Sequence, residues 1–293
     1  LYVGNSGTTI RLMAGLLAGQ AFDVELSGDV SLNQRPMERV AKPLRSMGAI
    51  VVTADGGCPP IKITGGQLLK GIHYDLPMAS AQVKSCVMFA GLYAQGQTSV
   101  TEPAPTRDHT ERMLKGFGYQ VEQTHDTCSI EGQGQLTATE IDVPSDISSA
   151  TFFLVAAAIC PDSDLVIEHV GMNPTRIGVV NILRLMGANL SIQNEREVGG
   201  EPVANLAIKY APLKGIHVPE DQVPLAIDEF PALMIAAACA SGTTTITGAE
   251  ELRVKESDRI QAMVDGLSAM GVSIEGTTDG AIIQGMGADA QFA

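Results

Sequence analysis

Leu44-Arg45-Ser46-Met47-Gly48, Leu114-Lys115-Gly116-Phe117-Gly118, Leu183-Arg184-Leu185-Met186-Gly187 and Leu267-Ser268-Ala269-Met270-Gly271 are one pattern, Leu-x-x-(Met/Phe)-Gly, written four times. Their glycines lie 70, 69 and 84 residues apart. A period near 70 exceeds that of the common solenoids, so each copy is expected to be a small unit of several elements. Apolar residues precede each glycine at helical spacing, as in Met37, Val40, Leu44 and Met47, or Ile260, Met263, Val264, Leu267 and Met270. That spacing predicts an amphipathic helix stopped by a glycine in the left-handed conformation. β-prone residues follow, as in Ala49-Ile50-Val51-Val52, and then a second strand such as Ile61 to Thr64.

Upstream of each amphipathic helix lies a second helical run, apolar almost all round, over 8–18, 82–94, 149–160 and 230–240. Such a helix is expected to be buried on every side. Short strands lead into three of these runs, ending Asp75-Leu76-Pro77, Asp142-Val143-Pro144 and His217-Val218-Pro219. Each copy therefore reads βαβαββ. The extra length of the last copy falls in the polar stretch 193–226. The predicted organisation is two domains of two units each, 1–140 and 141–293, which suits a chain of 293 residues.

With 45% apolar residues the chain can bury a sizeable core, built from aliphatics, Ala and twelve Met because there is no Trp. A net charge of −14 argues against nucleic acid and anionic membrane as partners. An anionic small molecule would need a local cationic cluster set against that charge. The longest apolar runs, 152–160 and 232–240, are nine residues each, too short to span a bilayer. Five cysteines, an odd number without C-x-x-C spacing, point to a reducing cytoplasm. Cys86, Cys160 and Cys239 sit in the apolar helical runs and read as buried, inert thiols. The chain opens at Leu1 in an apparent strand, which reads as a fragment.

Small polar residues recur at the start of each apolar helix: Asn5-Ser6-Gly7-Thr8-Thr9, Ser80-Ala81-Gln82, Ser145-Asp146-Ile147-Ser148-Ser149 and Asp228-Glu229. Any one of them is more simply an N-cap. Several such helix starts brought together would instead make anion sites from free N–H groups and helix dipoles. Gly7 would let a ligand reach the backbone. A second recurrent position, just before each amphipathic helix, carries Arg35, Arg107, Arg176 and Arg259. A lone Arg there is a solvated surface residue; four at matching offsets suggest a shared cationic cleft, and the guanidinium fork suits carboxylate and phosphate. The densest cluster, Arg253-Val254-Lys255-Glu256-Ser257-Asp258-Arg259, holds three of the nineteen basic residues. It reads either as a solvated helix start or as a site for phosphate binding and proton transfer. His73, His109, His125, His169 and His217 show no metal-ligand spacing, and no P-loop, dinucleotide fingerprint or G-x-S-x-G elbow occurs.

Taken in order, Asn5 to Leu12, Arg35-Pro36, Ser80 to Lys84, Ser145 to Ala150 and Arg253 to Arg259 resemble the 5-enolpyruvylshikimate-3-phosphate synthases across nearly the whole chain. The resemblance implies a two-domain inverted α/β barrel of six βαβαββ units, of which four, the second to fifth, are present. It implies transfer of the enolpyruvyl group of phosphoenolpyruvate to the 5-hydroxyl of shikimate 3-phosphate in aromatic amino acid biosynthesis, with no cofactor and no metal. Ser80, Ala81, Gln82, Arg107, Asp228 and Lys255 would hold shikimate 3-phosphate, and Gly7, Arg35, Gln82 and Arg259 phosphoenolpyruvate. Asp228 would take the proton from the attacking hydroxyl, and Glu256 would serve proton transfer to the enol methylene. Ala81 stands where other relatives carry a second Ser, and Arg107 replaces a Ser-Tyr arrangement; both changes resemble a known subgroup.

The family's N-terminal Lys-Ser pair and Arg, and its C-terminal His-Arg and Lys segments, have no match, so this length of chain is expected to bind but not turn over. UDP-N-acetylglucosamine enolpyruvyl transferase, with the same fold and donor, is the alternative within that fold. Its reactive loop Cys has no counterpart here. A non-catalytic anion-binding or assembly module of the same fold is the alternative outside catalysis.

Overall fold

The computed structural model describes residues 1–255 and 257–288. Contacts divide the chain into two compact units, Leu1–Glu140 and Ile141–Ala293. Each has its own aliphatic core, and each contains two copies of the repeat.

In the first unit, the first copy runs α1 (Gly7–Ala18), β1 (Val24–Leu26), α2 (Glu38–Ser46), β2 (Ile50–Ala54) and β3 (Cys58–Thr64). The second runs β4 (His73–Asp75), α3 (Ala81–Gly91), β5 (Gln97–Thr101), α4 (His109–Gly116), β6 (Glu122–Gln123) and β7 (Thr127–Glu131). In the second unit, the third copy runs α5 (Ile147–Ile159), β8 (Asp164–Gly171), α6 (Gly178–Leu185), β9 (Asn189–Val198) and β10 (Glu201–Lys209). The fourth runs α7 (Phe230–Ala238), β11 (Ser241–Ile246), α8 (Arg259–Ala269), β12 (Ser273–Gly276) and β13 (Ala281–Met286).

The strand order is the same each time: β1-β3-β2, β4-β5-β7-β6, β8-β10-β9 and β11-β13-β12. The last two strands of a copy form an antiparallel hairpin, and the later of them pairs antiparallel with the strand between the helices. The first strand of a copy pairs parallel with the second, which requires a crossover, supplied by the apolar helix. Only β4 is a full strand at this place. In the other copies it shrinks to bridges, Tyr2 to Ser27, Ser145 to Val170, and Lys214 to Ser241 with His217 to Thr245. The strands expected before Pro144 and Pro219 are thus reduced to a bridge or two. The length between the third and fourth copies goes into the long β9–β10 hairpin and two 3-10 turns, Glu220–Gln222 and Pro224–Ala226.

Each amphipathic helix ends as the repeat predicts. Gly48, Gly118, Gly187 and Gly271 have φ of 99°, 76°, 92° and 84°, where a side chain would strain the backbone. The apolar helices depart in part from all-round burial. α5 buries Ile147, Ala150, Leu154 and Val155 but leaves Phe152 and Phe153 exposed. Cys160 is exposed rather than buried, because α5 stops at Ile159 and Cys160 has already turned to extended backbone (φ −90°, ψ 121°). Cys239 is half-buried, and Cys86 is fully buried with its thiol pushed up to about 12 by burial. Among the described residues no helix is long and apolar enough to cross a membrane.

α1 and α3 approach to backbone contact at Gly15, where a Cβ would lie 2.0 Å from the Cys86 carbonyl oxygen. No side chain fits, and this contact sets the two helix starts side by side. Gly15→Ala is expected to destabilise the protein by about 1–3 kcal/mol, the usual cost of overpacking. Urea denaturation measures it; an unchanged midpoint would show that the helices can part freely.

Candidate functional site

In the first unit the starts of α1 and α3 share one network. Ser6 caps α1, its hydroxyl accepting from the Thr9 N–H at 3.1 Å. Ser80 caps α3 in the same way, accepting from the Val83 N–H at 3.4 Å, and Ala81 is the first helical residue. Gln82 bridges the helices. Its Oε1 accepts from Arg11 Nη1 at 2.6 Å, and its Nε2 donates to Thr8 Oγ1 at 2.9 Å.

Arg35 lies against the same point. A Cβ on Gly7 would stand 3.2 Å from Arg35 Nη1 and 3.3 Å from Arg11 Nη1, so the glycine leaves room for both guanidiniums over the first turn of α1. Arg35 Nη2 donates to Asn5 Oδ1 at 2.9 Å, and Asn5 Nδ2 to Asp29 Oδ2 at 2.7 Å. The Leu32 N–H and the Asn5 amide hold the Asp29 carboxyl below the usual range, so it stays ionised as the anchor of this chain of bonds. Gly7, Arg35 and Gln82 are therefore neighbours. Arg11 joins them, a residue whose signal was a charge inside an otherwise apolar helix, four positions after Gly7. Two guanidiniums and a helix N-terminus at one place favour an anion.

Arg107 lies in the segment between β5 and α4, half-buried. The ends of that segment are tied to α3 through Lys84, which is 1% exposed. Lys84 Nζ is 2.7 Å from Glu102 Oε2 and 2.7 Å from Glu111 Oε1.

In the second unit, Asp228 lies just before α7 and faces two cations. Arg259 Nη1 donates to its Oδ1 at 3.2 Å, and Lys255 Nζ stands 3.7 Å from the same oxygen. Lys255 also pairs with Glu251 at 2.5 Å. The dense basic stretch splits by role. Arg253 turns away, donating to the Thr277 and Thr278 carbonyls and pairing with Asp258 at 2.8 Å. Asp258 caps α8 by accepting from the Gln261 N–H at 2.9 Å, a contact that, with Arg253, lowers its pKa. Arg253 and Asp258 therefore shape the loop, whereas Lys255 and Arg259 meet Asp228. Glu256 lies outside the described residues.

The recurrent Arg differs between copies. Arg176 is held by Asp146 at 3.0 Å and Ser148 at 2.6 Å, with the buried Glu229 at 3.9 Å and hydrogen-bonded to Ser148. Two carboxylates neutralise it, which makes it a tie between the starts of α5 and α7 rather than a cation for a ligand. Among the described residues no group of three or more His, Cys, Asp or Glu is placed to hold a metal ion.

All of these segments lie within the stretch that matches one known family. The family model of EPSP synthase (3-phosphoshikimate 1-carboxyvinyltransferase) matches residues 1–292. The chain belongs to the EPSP synthase family. The 3-phosphoshikimate 1-carboxyvinyltransferase of Methylococcus capsulatus is 63% identical over 97% of this chain and 65% of its own length. That of Alkalilimnicola ehrlichii is 64% identical over 97% of this chain and 64% of its own length. An EPSP synthase structure from Acinetobacter baumannii superposes with a TM-score of 0.91 at 63% identity, covering 98% of this chain and 65% of that one. The repeated units thus have the fold of the EPSP synthases. The chain spans about 65% of the length of the curated relatives it matches.

Proposed function

We propose that this chain carries much of the machinery that transfers the enolpyruvyl group of phosphoenolpyruvate to the 5-hydroxyl of shikimate 3-phosphate with release of phosphate. The supporting observation is the Asp228 carboxylate with Lys255 and Arg259 around one of its oxygens. A base set among cations suits a reaction whose substrates are polyanions, because the cations bind the anions and leave the carboxylate to move a proton.

In the first unit Gly7, Arg35 and Gln82 serve phosphoenolpyruvate, and Ser80, Ala81, Gln82 and Arg107 serve shikimate 3-phosphate. In the second unit Lys255 and Asp228 serve shikimate 3-phosphate and Arg259 serves phosphoenolpyruvate. The hydroxyl oxygen attacks C2 of the enol while its proton passes to Asp228 and C3 gains a proton, for which Glu256 is the proposed donor. The C3 methyl of the resulting intermediate then gives up a proton as the C2–O bond to phosphate breaks. Addition and elimination need acid and base to exchange roles, which a carboxylate among mobile protons can do. The protein's place is the cytoplasm, among the small-molecule steps of aromatic amino acid biosynthesis.

The test is a phosphate-release assay on the chain extended to the length of its relatives. Phosphoenolpyruvate is offered with shikimate 3-phosphate in one arm and with UDP-N-acetylglucosamine in the other. Release is expected with shikimate 3-phosphate alone. Release with the nucleotide sugar would move the chain to the other enolpyruvyl transferase, and release with neither would leave an anion-binding module. The present 293 residues alone are expected to bind shikimate 3-phosphate weakly without turnover.

A further inference from the structure

Lys84 is the largest fully buried side chain of the first unit, and the proposed chemistry does not use it. It sits on α3 two residues after Gln82, so it shares a helix start with Ser80, Ala81 and Gln82. Its two partners bracket another segment. Glu102 follows β5, Glu111 lies in the first turn of α4, and Arg107 falls between them. Both carboxylates stand 2.7 Å from Lys84 Nζ; Glu111 is 1% exposed and the Glu102 side chain 12%. The stitching continues alongside. Thr106, next to Arg107, donates its hydroxyl to Glu102. The Ser85 and Thr110 hydroxyls meet at 2.7 Å, and Arg112 Nε donates to Asp108 at 2.8 Å. The segment is thus held through its side chains at Glu102 and again at Thr106, Asp108, Thr110, Glu111 and Arg112, and the ties of Glu102, Thr110 and Glu111 run to α3.

A buried ion cluster is an uneconomical way to gain stability, since apolar residues of similar volume do as well or better; what such a cluster can supply is a single geometry. A lysine has three donors and reaches both ends of the segment at once, which no apolar side chain can do. We infer that Lys84 is a positioning residue: through Glu102 and Glu111 it clamps the Arg107 segment to the first turn of α3, so that Arg107 is presented at a set distance from Ser80 and Gln82. The inference rests on the assignment of Arg107 to shikimate 3-phosphate made above. It adds that the acceptor's affinity is set from the interior of the unit by a residue that does not touch it.

The experiment uses the same extended chain. In Lys84→Met/Glu111→Leu the two 1%-exposed charges are removed together, and Glu102, 12% exposed, keeps its bond from Thr106, so the unit is expected to stay folded while the clamp is lost. In Glu102→Gln the neutral Lys84–Glu111 pair remains and only the first anchor is weakened. The double variant is expected to raise KM for shikimate 3-phosphate by about 10- to 100-fold, the scale of a remote misplacement of about 1 Å. KM for phosphoenolpyruvate should move less than about twofold, and Glu102→Gln should shift the acceptor KM in the same direction by less. Hydrogen exchange should quicken across 102–111 and not in α1. Equal changes in both KM values, or an unchanged acceptor KM in either folded variant, would overturn the clamp. If the unsubstituted protein neither binds nor turns over shikimate 3-phosphate, the functional reading fails instead. The exchange of 102–111 then decides the clamp by itself: unchanged protection in Glu102→Gln and in the double variant refutes it.

Discussion

In the chain extended to the length of its relatives, Asp228→Asn is expected to lower turnover by about 10²–10⁴-fold, the usual contribution of a general base. The amide keeps the shape of the carboxylate and can still accept from Arg259 Nη1, which bonds Asp228 Oδ1 at 3.2 Å. What it loses is the capacity to hold a proton. Lys255 retains its pair with Glu251 at 2.5 Å, so removing the Asp228 charge does not strand it. Binding of shikimate 3-phosphate should therefore change little, and the loss should appear in kcat far more than in KM. Steady-state phosphate release together with calorimetric titration of the acceptor separates the two. Near-normal turnover in the Asn variant would remove Asp228 from the proposed role.

Lys84→Met alone is expected to cost about 3–5 kcal/mol of folding stability, because it leaves Glu111 charged, 1% exposed and without its cation. The midpoint of urea unfolding should fall accordingly at unchanged slope. Adding Glu111→Leu should recover most of the loss, since the second change removes the stranded charge. A single variant as stable as the parent would show that water or another cation reaches Glu111. The pH dependence follows from the direction of the Lys84 shift. Burial works to lower its pKa, but Glu111 and Glu102 outweigh burial, and the net shift is upward. A raised lysine contributes stability that is fully present below its unfolded pKa of about 10.4 and is lost as pH rises through the folded value. The parent should therefore hold this contribution through neutral pH and surrender it only in strong alkali, whereas the double variant should show no such alkaline loss.

Much of this was written in local sequence. The four glycines with φ between 76° and 99° were legible because a helix stop depends on the residue at the stop and the few before it. The βαβαββ order was legible for the same reason: helical and strand periodicities are read within a dozen residues. The helix caps Ser6, Ser80 and Asp146 were also in view, because a cap bonds a backbone N–H three residues on; at the fourth such start, Asp228-Glu229, α7 begins without a side-chain cap. Resemblance to a family then attached roles to Gly7, Arg35, Gln82 and Asp228, which periodicity and spacing alone do not assign.

Tertiary packing decided the rest. Arg35 and Arg176 occupy one position of the repeat, yet the second is neutralised by Asp146 with Glu229 close by, and Glu229 is 53 residues further along the chain. Arg253 and Lys255 are two residues apart and point to different work, because the β12–β13 turn offers its carbonyls to one and α7 brings Asp228 to the other. Cys160 left its helix by a single residue and became exposed, a boundary finer than periodicity resolves. Nothing next to Lys84 in the sequence marks it as buried, and its burial depends on Glu102 and Glu111, 18 and 27 residues away. Sequence determines the order and type of the helices and strands because those choices are settled mostly by neighbours along the chain. Which charges meet is settled by neighbours in space, since a buried charge is tolerated only where the fold brings it a partner.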